Sequence, residues 1–291
     1  MANVNGGLVS KKPQESQPTT QQSIGVKNIL ANINMKKKFE EILGKKAAGF
    51  MASMINISNT ALKDVEPYSI VSSGIIAATL DLPIDPNLGF AWIVPYNGKD
   101  ASGNRIKKAQ FQMGYKGFVQ LALRTGQYKA INVIEIYKGQ LKSWNPLTEE
   151  LEFDFDSKEN DEVMGYAAFF KLVNGFEKTV YWSKEDILKH AKRFSKTFNN
   201  GPWQSDFDGM AKKTVLKNTL SKWGILSIEM QTALTADQAV IKKEVAEGAD
   251  ISGNIEYVDS PSDNSNVIDA EYKDTKSEQQ EDIYEGTPFQ D

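Results

Sequence analysis

The sequence predicts an α+β fold: an antiparallel sheet with a protruding β-hairpin, flanked by helices, between a disordered N-terminal arm and an acidic C-terminal tail. Three observations predict it. Apolar residues recur at helical spacing before residue 80 and after residue 183, and mostly alternate between these points. Turns and short loops, rather than regular helical crossovers, join the alternating stretches, which is how antiparallel strands connect. Residues 1–23 and 249–291 lack apolar periodicity and cannot build a core of their own. The boundaries are therefore 1–23 for the arm, 24–248 for one folded domain and 249–291 for the tail.

Taken in order, Val26, Ile29, Leu30 and Ile33, then Phe39, Ile42 and Leu43, predict helix up to Gly44. Residues 47–57 are apolar nearly all round, as a buried or intersubunit helix would be. Pro67 suits the first turn of a helix over 68–80. Residues 90–96 read as a strand, and Pro95 assigns it to an edge or a strand end. After a loop with two glycines over 97–104, a second strand completes the hairpin. It places Ala109, Phe111, Met113 and Tyr115 on one side and Lys108, Gln110 and Gln112 on the other.

Gly114 changes the period. Phe118, Leu121 and Ala122 then share one helical face, Lys116, Gln120 and Arg124 the opposite one, and Thr125-Gly126 closes the helix. Strands follow over 128–137, 151–155, 165–172 and 178–182. Ser183, with Asp186 three residues on, opens a helix expected to reach Phe198. Ile187, Ala191, Phe194 and Phe198 line its inner stripe; Lys189, Lys192, Arg193 and Lys196 line the outer one. Helices are expected over 206–223, carrying Lys212, Lys213 and Lys217, and over 229–247.

With 40% apolar and 10% aromatic residues the chain can fill a sizeable core. It has no cysteine, so disulfides and thiolate chemistry are excluded. The first 23 residues do not resemble a signal peptide, and no apolar run approaches the ~20 residues of a membrane span. A soluble cytoplasmic protein is the expectation.

The net charge of −4 hides an asymmetry. Residues 249–291 carry twelve acids and two lysines, a net −10, so residues 1–248 carry +6. Within the body, residues 104–142 hold eight Lys+Arg against one acid, and residues 189–222 hold eight against two. Two readings stand for such faces: an ordinary solvated surface, or a surface that meets a phosphodiester chain. Four cations at i, i+3, i+4 and i+7 on one helix repel unless an anion or partner lies opposite, which favours phosphate contact there.

Catalytic chemistry finds little support. No GxxxxGK[ST] loop occurs, and His190, the single histidine, reads as a solvated or hydrogen-bonding residue. Glu152, Asp154 and Asp156 alternate and would line one strand face, as carboxylates holding Mg²⁺ in a nuclease do; a charged edge that prevents mispairing is the simpler reading.

An ordered series of motifs resembles the RecT family of phage and prophage recombinases. It comprises residues 82–86 (LPIDP), 94–96 (VPY), 111–117 (FQMGYKG), 121–126 (LALRTG), 190–195 (HAKRFS), 202–203 (PW) and 210–214 (MAKKT). Family members often carry Ser where Thr125 stands. The resemblance covers about residues 24–230 and implies a protein, not an enzyme, that binds single-stranded DNA and anneals complementary strands through a duplex intermediate. It also implies ATP independence with no cofactor, a homo-oligomeric ring or filament, and work beside a phage 5′→3′ exonuclease. The acidic tail can occupy the DNA groove or display a docking peptide, and its 281–289 stretch faintly resembles the ending of bacterial single-strand-binding proteins, a host partner it would then share. The alternatives are a metal-dependent nuclease using the carboxylates near 152–156 and a passive single-strand-binding protein. Lys107, Lys108, Lys116, Arg124, Lys189, Lys192, Arg193, Lys196, Lys213 and Lys217 are the candidates for phosphate contacts. Gln110, Gln112 and Gln120 are candidates for sugar or phosphate, and Tyr115 and Trp203 for base stacking, although Tyr115 also continues the apolar strand face.

Overall fold

The structure, a computed structural model, describes residues 24–257 apart from Ala101, Pro146, Lys196, Thr197, Asn200 and Ser252. The predicted arm, most of the predicted tail and Lys196 therefore lie outside the described residues.

The chain opens with α1 (Val26–Ala31) and α2 (Ile33–Leu43). The expected single helical run breaks at Asn32, whose extended backbone lets its side chain cap α2 by accepting from the Asn34 amide. Gly44, at φ +54°, ends α2 as expected. Next come α3 (Ala47–Asn59) and α4 (Pro67–Thr79), the latter with Pro67 in its first turn and Glu66 accepting from the Tyr68 and Ser69 amides. The buried helix is instead α4, in which every residue from Ser69 to Ala78 is buried. Of α3 only Ala47 and Met54 are buried, and its remaining large apolar side chains are half-buried.

Strands β1 (Ala91–Lys99) and β2 (Arg105–Met113) pair from Ala91↔Met113 to Lys99↔Arg105, which is the predicted hairpin. Asp100 holds its tip, accepting from the Ser102 and Asn104 amides. Helix α5 (Tyr115–Arg124) follows at once, then β3 (Tyr128–Tyr137), β4 (Leu141–Asn145) and β5 (Glu150–Phe153). After β6 (Val163–Leu172) and β7 (Glu177–Ser183) come α6 (Lys184–Phe194), α7 (Pro202–Ser205) and α8 (Phe207–Trp223). The chain then runs through α9 (Ile228–Ala236), β8 (Ala239–Ile241), α10 (Lys243–Glu247) and β9 (Ile255–Glu256).

The described strands form three antiparallel sheets rather than one, in the orders β1-β2-β8-β9, β3-β6-β7 and β4-β5. Pro95 sits on β1, an edge, where its missing N–H costs no ladder bond. Helix α4 packs on β2, β1 and β8, while α8 lies against β6, β7 and β3 and touches α5. One main core runs through both layers.

Three sequence expectations need correction. The helix expected over 229–247 is interrupted: Asp237 leaves helical backbone and Gln238 takes φ +66°, so β8 can pair with Gln110 and Phe111. Ordered structure continues past Gly248, because β9 pairs with β8 through Val240↔Glu256 and Ile241↔Ile255. The helix expected to reach Phe198 stops at Phe194, and Ser195 is already extended.

Gly117 shows how tightly α5 meets the hairpin. A Cβ there would lie 2.3 Å from the Phe90 carbonyl oxygen and 2.9 Å from the Met113 methyl. On an exposed helix Gly→Ala gains roughly 1 kcal/mol. For Gly117→Ala we expect a loss of about 1–3 kcal/mol instead, since α5 must move off the strand; urea unfolding measures it.

Candidate nucleic-acid interface

Helix α6 starts where its residues require. Ser183 accepts from the Asp186 amide and donates its hydroxyl to the Asp186 carboxylate at 2.6 Å. Ile187 and Ala191 are buried, which turns Lys189, Lys192 and Arg193 outward. Their situations differ. Lys189 is paired with Glu185 at 2.8 Å and approaches Asp186 at 3.9 Å. Lys192 lies 6.0 Å from the Phe198 ring centroid and Arg193 5.1 Å from that of Phe194, and neither meets a carboxylate among the described residues. Phe194 is exposed, not buried as its place in the apolar stripe suggested, because the helix ends with it.

Between α6, α8 and the end of β9 lies a cleft of about 400 Å³, lined by His190, Phe194, Trp203, Lys217 and Tyr257 among others. Trp182 stands edge-on to His190 at 5.4 Å, and His190 lies 4.7 Å from Phe194. Burial holds the imidazole below its ordinary pKa, and Lys217 and Arg193 push the same way.

The cleft wall rests on a buried ion cluster. Asp237 accepts from Lys213 at 2.8 Å, from Lys217 at 2.7 Å and from the Met113 amide at 2.9 Å. Burial alone would raise the Asp237 pKa; the two ammoniums outweigh it and hold it down to about 2. Burial lowers Lys213 from the usual lysine range, Asp237 opposes this, and Lys217 adds to it. Lys213 is therefore corrected from surface cation to buried partner. Lys217 is partly exposed and reaches the cleft from the same cluster.

Other predicted residues divide likewise. Gln110 is buried, donating to the Gln238 carbonyl at 2.7 Å, and Gln112 donates to Gln110 at 2.7 Å. The solvent side assigned to Gln110 is covered because β8 packs beside β2. Trp203 is buried against Phe207 at 5.5 Å and offers no open platform. Tyr115 is half-buried, with Lys212 5.5 Å from its ring centroid. Arg124 donates to the Leu80 and Asp81 carbonyls at 2.6 and 2.8 Å, closing the end of α4. Lys108 lies 3.6 Å from Glu256, and the next residue, Tyr257, lines the cleft. Lys107 and Lys116 are exposed, and Gln120 is half-buried. The structure thus gathers Lys213, Lys217 and Trp203 around one cleft, leaves Lys192 and Arg193 on the exposed side of α6 outside its lining, brings Lys108 within a residue of it, and leaves Lys116, Gln120 and Arg124 on α5.

The alternating carboxylate face does not form. Asp154 leaves the strand to cap a 3₁₀ turn, accepting from the Asp156 amide and the Ser157 hydroxyl, with Lys142 3.8 Å away. Among the described residues no group of three His, Asp or Glu side chains could hold a metal ion. No described helix is long and apolar enough to cross a membrane.

Comparison with known proteins agrees with the motifs. The family model of the RecT family matches residues 48–251. An uncharacterized protein, YqaK of Bacillus subtilis, is 48% identical over 281 residues, covering 96% of this chain and 91% of that protein. Protein RecT of Escherichia coli is 26% identical over 269 residues, covering 87% of this chain and 99% of that one. The chain belongs to the RecT family. RecT-family proteins bind single-stranded DNA, oligomerise and anneal single strands in recombination.

Sequence reasoning did not select Trp182, Phe194, Asn218 or Tyr257 as members of this cleft. Trp182 ends an alternating run, and Phe194 falls on an apolar stripe, so each carries the signal of a core residue. Tyr257 lies beyond Gly248, in sequence that reads as tail.

The Asp237 cluster makes a pH-dependent prediction. An ordinary aspartate titrates at 3.8, so folding depresses this pKa and the unfolded chain binds the proton more readily. The stabilisation is complete above about pH 4 and is lost as pH falls from there toward about 2. Asp237→Asn should cost roughly 3–5 kcal/mol at neutral pH, because buried Lys213 loses its counter-charge. It should also flatten the acid limb of the stability profile, measured by urea unfolding from pH 2 to 7.

Proposed function

We propose that this chain binds single-stranded DNA in the α6–α8 cleft and anneals complementary strands without ATP, as an assembly of several copies. The observation that carries this reading is the pairing state of the cations. Lys192 and Arg193 stand on the exposed side of α6, next in sequence to the cleft-lining Ala191 and Phe194, without acidic partners among the described residues, and Lys217 reaches the cleft from a cluster of two lysines and one aspartate. Such a surface attracts a phosphate backbone, and its aromatic lining suits bases of any sequence. Base pairing supplies the free energy of annealing; the protein holds the strands so that complements meet. The missing GxxxxGK[ST] motif agrees with a reaction that uses no nucleoside triphosphate. The half-buried apolar residues of α3 support contact between copies along that helix. Within this reading a 5′→3′ exonuclease supplies the single strand, and the acidic tail meets partner proteins such as a host single-strand-binding protein.

Salt dependence tests it. If each protomer neutralises about four to six phosphates, log K for a single strand should fall against log salt with a slope near −3 to −4, at about 0.7 per phosphate. Lys192→Ala with Arg193→Ala should reduce that slope by about 1.4. Folding should change by only ~0.5 kcal/mol per substitution, since both are exposed and alanine favours the helix. Fluorescence anisotropy at several salt concentrations, beside thermal melting, reads both. An unchanged slope would remove α6 from the site.

A further inference from the structure

A second cavity, of about 280 Å³, adjoins the cleft and shares Trp182 and Asn218 with it. Trp144 from β4, Trp182 from β7 and Trp223 from the last turn of α8 line it, three of the chain's five tryptophans. Trp144 and Trp223 are each 43% exposed, so two indole rings keep much of their surface in water. Trp144 is oriented by Tyr181, edge-on at 5.9 Å. Folding has gathered large ring faces around a space and left it open.

The charges in this cavity differ from those in the cleft. Lys178 places its ammonium 4.5 Å from the Trp223 ring centroid and is ion-paired with Glu149. Glu149 takes φ +56°, a backbone that residues with side chains seldom adopt, and its carboxylate meets Lys178 from there. The lining itself carries two acids, Glu149 and Asp186, against one lysine, Lys222, with Lys178 reaching Glu149 and Trp223 from beside it. A phosphate gains no net attraction here, whereas a base, which carries no charge and presents a π-face, gains stacking. Across the shared wall the balance is reversed, with Lys217 and its cluster in surplus.

We propose that the Trp144–Trp182–Trp223 cavity is a nucleobase slot. It takes one unpaired base of a single strand whose phosphates lie in the adjoining cationic cleft, and it accepts any base because every base has a π-face. The slot rests on the single-strand-binding reading above and adds a division of labour to it. One base held per protomer resists sliding of the strand while the bases outside the slot stay open to a complement.

The test compares a thirty-residue oligothymidylate with an abasic deoxyribose-phosphate strand of the same length, both end-labelled, by fluorescence anisotropy on the full chain. The double variant Trp144→Ala, Trp223→Ala should bind oligothymidylate about 5- to 150-fold more weakly, the range for one lost base stack. Its affinity for the abasic strand should not change. Trp223→Phe, which keeps a ring, should retain most of the affinity. Lys192→Ala with Arg193→Ala should weaken both strands alike. Equal losses on both strands in the tryptophan variant would overturn the slot, since a phosphate or folding defect would explain them. No loss on either strand would overturn it too, while leaving the single-strand reading intact. Failure of the unaltered chain to bind oligothymidylate would remove both.

Discussion

Asp237 sets one negative charge between two ammoniums at a depth that water does not reach, and several elements depend on that contact. Lys213 and Lys217 come from α8, the Met113 amide from the end of β2, and Asp237 itself from the end of α9. Taking these charges out of water costs more than a comparable apolar contact would, so the cluster is poor evidence of extra stability and good evidence of a fixed arrangement. It admits one geometry: α8 in register with β2, and the chain turned at Gln238 so that β8 can join the hairpin sheet. The Gln238 carbonyl then accepts from Gln110, which seals the edge of the same junction.

The cluster has an electrostatic consequence. Two cations share one anion, and the surplus positive charge emerges on the Lys217 side, in the cleft. A wall built this way keeps its polarity without relying on a long, solvated side chain to find its place. Lys192 and Arg193 carry further charge on the exposed side of α6, where Ile187 and Ala191 fix the orientation of the helix. Burial, and after it Lys217 and Arg193, disfavour the charged form of His190. Buried, paired charge and exposed charge thus come from nearby side chains of the same two helices.

That mixture separates cations which look equivalent in sequence. Arg124 and Lys116 sit on one helical face, yet Arg124 reaches back to the carbonyls that end α4 while Lys116 stays in solvent. Lys189 and Lys192 are three residues apart, and only Lys189 has acids one turn earlier on its own helix. A cation's availability depends on which acids, carbonyls or rings approach it, and many of these come from remote elements.

Periodicity by itself determined the α+β class, the β1–β2 hairpin, the strand-to-helix change at Gly114, the start of α6 at Ser183 and the extent of α8. Each follows from local rules of side-chain spacing, capping and backbone freedom, which operate over a few residues. The motif series also sufficed to indicate the RecT family, because order along the chain survives without any knowledge of contacts. Tertiary structure alone decided that Lys213 is buried, that Gln110 faces a strand rather than solvent, and that residues 229–247 contain a strand between two helices. It also decided which tryptophans share a cavity. These outcomes depend on partners more than a hundred residues apart in places, such as Gln110 with Gln238 and Met113 with Asp237. The free energy of a buried charge or amide is set by what surrounds it in space, and spacing along the chain carries no record of that.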